Sequence, residues 1–309
     1  PFLFFRSLVQ GKPHTMRAIC WTIRGGKVCT KTGQPEHTGG GRHVDPTMDM
    51  FTHLFNLLFY QYHIQGRTAL DFTAKCMWYF ERLFYLFGAA ATDDPDRDYM
   101  SYDTCYKIMN EALQKAGLAW RFKTHAGRKG GMGQAADEGA SFADVTLVSR
   151  HDQNVAERNY FKSLPATVVA ANTGMGKPEN CYYPCEDVEI PDELSKQIFP
   201  WAREQLEYLK KDNLSRPQDT HAPDGRDRAG VAFLEMMTDI APKTLVTSAA
   251  LLQDEFPEHV VFNHTIFKSD LFQGVKKQML AAMKSFEENG NPLPMTIHAA
   301  APAIADNLR

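Results

Sequence analysis

The stretch from Lys123 to Phe161 reads KTHAGRKGGMGQAADEGASFADVTLVSRHDQNVAERNYF, and its polar residues decide how the chain is understood. His125 and Arg128 stand as H-x-x-R. Arg150-His151 follows, with His151 23 residues after Arg128, and Tyr160 comes nine residues after His151. These are side chains that can grip a phosphate and attack it. Gly117 and Gly139 each close a helical pattern, and Ser141-x-x-Asp144 has the form of a capping box that restarts one. The polar residues therefore fall at helix ends, where backbone donors are also free.

Charge supports an anion-binding reading of this half. The whole chain of 309 residues carries a formal charge of −3. Residues 1–163 hold 20 Lys and Arg against 16 Asp and Glu, whereas residues 164–309 hold 14 against 21. Arg121, Lys123, Arg128 and Lys129 lie in a run without an acid from Leu118 to Ala136. A local patch governs binding more than the total does. The plain alternative is a solvated basic face.

Around this stretch the pattern is mainly helical. Residues 2–10 and 16–24 predict two strands, and Gly11 to Thr15 supplies the turn, with Lys12 at the tip. Six glycines in residues 25–41 predict a flexible loop. Asp45-Pro46 predicts a helix start, with Met48, Phe51, Phe55, Leu58 and Tyr62 as its apolar stripe. An aromatic-rich helix is expected from Thr73 to Gly88, then an acidic turn, Thr92 to Tyr99, and a helix capped by Ser101 and ended by Gly117. Gly127, Gly130, Gly131 and Gly133 crowd the helix from His125 to Gly139. Each costs up to about 1 kcal/mol relative to Ala, so the pattern implies a backbone that DNA or another helix approaches closely.

Beyond Pro165 a second part is expected. Pro191-Asp192 opens a helical stretch interrupted at Phe199-Pro200-Trp201, Asn213 to Asp227 reads as a polar linker, and helices are expected over 228–240, 243–256 and 265–288. This gives three units: 1–165, which carries the basic stretch, 166–290, a helical extension, and 291–309, a weakly ordered tail. The apolar start Pro1-Phe2-Leu3-Phe4-Phe5, without Met, points to a segment of a longer protein. No apolar run has the length of a membrane span. The six cysteines lack zinc spacing, Cys181-x-x-x-Cys185 being half a site at most, and read as free thiols.

The constellation fits phosphodiester chemistry without metal or cofactor. Arg128 offers a bidentate fork, His125 and His151 can donate, and a tyrosine hydroxyl can attack phosphorus to leave a covalent ester. H-x-x-R, then His, then Tyr nine residues on resembles the carboxy-terminal half of tyrosine recombinases. A wider set narrows the likeness: Gln10-Gly11-Lys12, Arg42-His43 before Asp45, Trp78-Tyr79, Thr124 to Lys129, Tyr160 followed by Leu164-Pro165, Phe199-Pro200-Trp201 and Gln253-Asp254. Together, over residues 3–275, they resemble the central domain of fungal centromere DNA-binding proteins and the related crypton recombinases.

That resemblance implies a mainly α fold with a small β-hairpin, a tyrosine-recombinase-like catalytic domain and a carboxy-terminal helical extension. It makes Lys12 the hairpin lysine, His125 and Arg128 the H-x-x-R pair, His151 the His/Trp position and Tyr160 the nucleophile position. Lys27 and Lys31 could serve equally for Lys12. Arg121, Lys123, Lys129, Arg150 and Arg158 are expected DNA contacts. The family's first arginine falls before the hairpin, and Arg6 is too close to the strand to replace it, so binding without efficient cleavage is expected. The implied function is duplex DNA binding in the nucleus, mainly through phosphates, with a homodimer or protein complex as the assembly. The alternatives are an active crypton-type recombinase and a helical protein–protein scaffold.

Overall fold

A computed structural model describes residues 2–9, 15–23, 36–73, 78, 81–85, 99–118, 123–149, 166–174, 184–215 and 227–288. Among these the chain is mainly helical, with one small antiparallel sheet. The two amino-terminal strands form as the sequence predicts: β1 (Phe2–Val9) pairs with β2 (Thr15–Ile23) from Phe2 opposite Thr22 to Val9 opposite Thr15.

The expected loop over 25–41 is corrected at its end. Glu36–Gly41 is a third strand, β3, whose Gly41, Gly40 and Gly39 lie opposite Ala18, Ile19 and Cys20. Glycine is a poor strand former. A Cβ on Gly40 would make an ordinary contact, 3.4 Å, with the Met50 methyl on the next helix.

That helix, α1, is Met50–Phe59, continued by a π turn over Tyr60–Ile64. It starts later than Asp45-Pro46 predicts, because Asp49 is the residue that caps it, accepting from Phe51 N. Asp45 closes the preceding turn instead, accepting from the Thr47 N–H and hydroxyl at 2.8 and 2.7 Å. Phe51, Phe55 and Leu58 are buried as expected, while Met48 is exposed.

The aromatic helix expected from Thr73 to Gly88 is not seen at residues 81–85, which are non-helical. Their carbonyls are taken by distant donors. The Gln61 amide donates to Leu83 O at 2.7 Å, Met100 N donates to Phe84 O at 3.0 Å, and Tyr85 bridges Tyr99. Arg67 stacks on the Tyr85 ring at 3.9 Å. The acidic turn falls almost wholly outside the described residues.

Next come α2 (Tyr102–Lys115), α3 (Lys123–Asp137), α4 (Phe142–Ser149) and the short α5 (Ala166–Ala171). Then follow α6 (Asp192–Gln197), α7 (Pro200–Ser215) and α8 (Arg228–Glu235). The break between α6 and α7 falls where Pro200 predicts it, and Phe199 there has a φ of 52°. A π turn, Met236–Ile240, joins α8 to α9 (Ala241–Leu252). Pro242 cannot donate, and the ladder widens just before it. The last helix is α10 (Asp270–Glu288).

The main core surrounds α9, which packs on α1 and α10. Phe51, Phe55, Phe59, Phe199, Leu234, Met236, Phe267 and Phe272 are all sealed from solvent in it. It thus draws residues from both sides of position 165. Among the described residues no helix is long and apolar enough to cross a membrane.

Candidate nucleic-acid interface

The H-x-x-R residues stand in the first turns of α3, which is fixed by its ends and by one face. Upstream, α2 closes at Gly117, with a φ of 71°. Leu118 N reaches Leu113 O at 2.8 Å and Gly117 N reaches Gln114 O at 3.0 Å, the bond pair of a Schellman stop. At the far end Gly139, with a φ of 86°, repeats the device: Ala140 N bonds Ala135 O and Gly139 N bonds Ala136 O, both at 2.9 Å. Ser141 Oγ then accepts from Asp144 N at 3.1 Å and restarts the chain as α4. The Asp144 carboxylate accepts from the Thr167 hydroxyl of α5 at 2.8 Å.

A small second core lies under α3. Ala135, Val145, Val168 and Ala171 are buried together, with Met132 and Ala140 against them. The Gln134 amide adds a bond to Ala171 O at 3.4 Å. Its residues come from α3, α4 and α5 and none belongs to the main core. Along α3, among the described residues, a Cβ at Gly130 or Gly133 would meet nothing within 4 Å, and one at Gly131 would approach Asn172 Oδ1 at 3.9 Å. At Gly130 and Gly133, then, no described residue crowds the backbone.

Lys123, His125, Arg128 and Lys129 all lie in the amino-terminal half of α3. For these four the description extends to the backbone. His125 is three residues from Arg128 and four from Lys129, spacings that share a helix face. The first turn holds no acid, so the helix dipole and the cations act in the same sense. Lys12, Lys27, Lys31, Arg121, Arg150, His151, Arg158 and Tyr160 lie outside the described residues.

Sequence reasoning gave no role to a second polar group, which ties this region to the main core. Arg42, just after β3, is 4% exposed. Its Nε meets Asp49 Oδ2 at 3.0 Å, Nη1 reaches the Thr244 hydroxyl and the Cys185 sulfur at 3.3 Å each, and Nη2 reaches the Ser248 hydroxyl at 3.2 Å. Burial pushes the Cys185 thiol up to about 12, so it serves as a neutral partner. Next to Arg42, the His43 ring accepts from Asp45 N at 2.9 Å, and burial holds its pKa below the usual imidazole range. Val44 N then donates to Thr173 O, at the end of α5, at 2.8 Å. The run of polar residues before Asp45 was the one available signal, since a buried arginine must find partners.

Among the described residues no group of three or more His, Cys, Asp or Glu side chains could hold a metal ion. A comparison with protein families gives one result of consequence. Residues 3–273 match the family described as "Centromere DNA-binding protein complex CBF3 subunit, domain 2". No curated protein and no solved structure matches the chain.

Proposed function

Because the chain belongs to this family of centromere DNA-binding complex subunits, we propose that it binds duplex DNA, mainly through phosphates, on a recombinase-derived fold. The observation that carries the reading is α3. It brings Lys123, His125, Arg128 and Lys129 to one helix amino-terminus without an acid, beside glycine positions that no described residue crowds. Backbone donors and cations at such an end suit a phosphate. His151, Tyr160, Lys12, Arg121, Arg150 and Arg158 complete the binding surface. Residues 1–165 make the DNA contacts, and the acidic helices of 166–290 support them and meet other subunits of a nuclear complex.

Titrating two unrelated short duplexes with the chain at several salt concentrations tests this. Affinity should fall steeply as salt rises, because bound phosphates release counterions. Arg128→Ala should weaken both duplexes by the same factor, because a phosphate contact carries no base information. Affinity that does not change with salt would reject the reading.

A further inference from the structure

The helix bearing H-x-x-R rests on α5, and α5 in turn packs on β3. The point of docking is a pair of backbones. Val44 N donates to Thr173 O at 2.8 Å, and Thr173 is sealed from solvent. The next residue, Gly174, has a φ of 71°. A Cβ there would stand 2.9 Å from Val44 Cγ1 and 3.0 Å from His43 Cε1 and Nε2. Glycine is thus required twice over, for its backbone angle and for the lack of room. Upstream of the contact, the buried Arg42 network holds His43 and Val44 to the main core. Downstream, Val168 and Ala171 of α5 hold the small core under α3.

We propose that Gly174 is a positioning residue for DNA binding: its contact with Val44 and His43 sets how α3 is presented relative to the main core. This rests on the DNA-binding reading above. A side chain at position 174 must push α5 away from β3, and α3 moves with α5 because they share one small core. The phosphates of a duplex that spans α3 and its neighbouring surface are then no longer all reached at once.

The test compares Gly174→Ala with Gly66→Ala in the full chain. Gly66 has a φ of 66° and, among the described residues, nothing within 4 Å of its Cβ position, so its variant carries the backbone strain without the clash. A short mixed-sequence duplex is titrated across salt concentrations, and thermal melting is followed in parallel. The expected result is at least about tenfold weaker binding for Gly174→Ala than for Gly66→Ala. Its slope of log affinity against log salt should also be flatter, since fewer phosphates are engaged. Adding Val44→Ala to Gly174→Ala should recover part of the loss. Equal affinities overturn the proposal. So does a loss with an unchanged slope, which would mean only that fewer molecules are folded. If Gly174→Ala does not fold, Val44→Leu crowds the same contact from its other side while position 174 stays glycine, and unchanged affinity and slope there overturn the proposal. A wild-type chain that leaves the duplex unbound instead overturns the DNA-binding reading itself.

Discussion

Arg42 and Asp49 form an ion pair at 3.0 Å in which the side chains are 5% and 0% exposed. Asp49 also caps α1 and accepts from His43 N and the Thr52 hydroxyl. Removing one member of such a pair leaves the other charged and unpaired. Arg42→Ala should therefore destabilise the chain by about 3–5 kcal/mol. Urea unfolding would show this as a lowered midpoint. A midpoint like that of the wild type would mean that water replaces the guanidinium without cost.

The aromatic cluster beside α1 should make stability fall in acid. His63 stacks on Phe59 at 4.2 Å, accepts from Phe199 N at 3.3 Å, and has His264 at 5.5 Å. Burial, and then His264, lower its pKa from 6.5 to about 4. The unfolded chain thus binds a proton between these values that the folded chain refuses, so stability rises with pH. The contribution is complete above about pH 6.5 and is lost as pH falls through about 4. Burial shifts His43, His259 and His264 in the same direction. His63→Gln should lessen the decline in the urea midpoint over this window, and a midpoint that stays flat in the wild type would contradict the assignment.

Asp227 should matter beyond its helix cap. Its Oδ1 accepts from Gly230 N at 2.7 Å, and its Oδ2 accepts from the Trp78 indole at 2.6 Å. Asp227→Ala should cost roughly 1–2 kcal/mol through the lost cap and more through the loss of its bond to the Trp78 indole. Trp78 fluorescence, followed during unfolding, should shift already in the native baseline. A variant with the wild-type emission and midpoint would show that neither bond counts.

Tyr160→Phe should leave equilibrium DNA affinity within about fivefold, since a neutral hydrogen bond contributes about 1 kcal/mol. A nicked duplex offered to the wild-type chain tests chemistry separately. A denaturation-resistant protein–DNA adduct, abolished by Tyr160→Phe, would make the protein a strand-cleaving enzyme and reject a purely binding role.

Local grammar made several elements legible. Ser101 and Gly117 bound α2, Gly139 and Ser141 separate α3 from α4, and Pro200 divides α6 from α7. Each signal acts within a few residues of itself. What escaped was set at long range. Glu36–Gly41 becomes a strand because β2 offers it an edge, against the preference of its three glycines. Residues 81–85 lose their helical pattern to Gln61 and Met100. For the candidate site, the spacing of His125 and Arg128 on one helix face was readable. The anchoring of that helix through Val44 and Gly174 was not, because nothing near Gly174 in sequence signals that His43 lies against it.

The span between α1 and α9 sets a clock for the nascent chain. The Thr52 hydroxyl meets that of Ser248 across 196 residues. At roughly 5–20 residues per second, the ribosome needs about 10–40 seconds to supply the second after the first. Until then Phe51, Phe55 and Phe59 have no α9 to cover them, although β3 and Asp49 already stand beside them. A message that stops before residue 241 yields a chain on which that aromatic face is never closed, and such a product is material for chaperones and proteases.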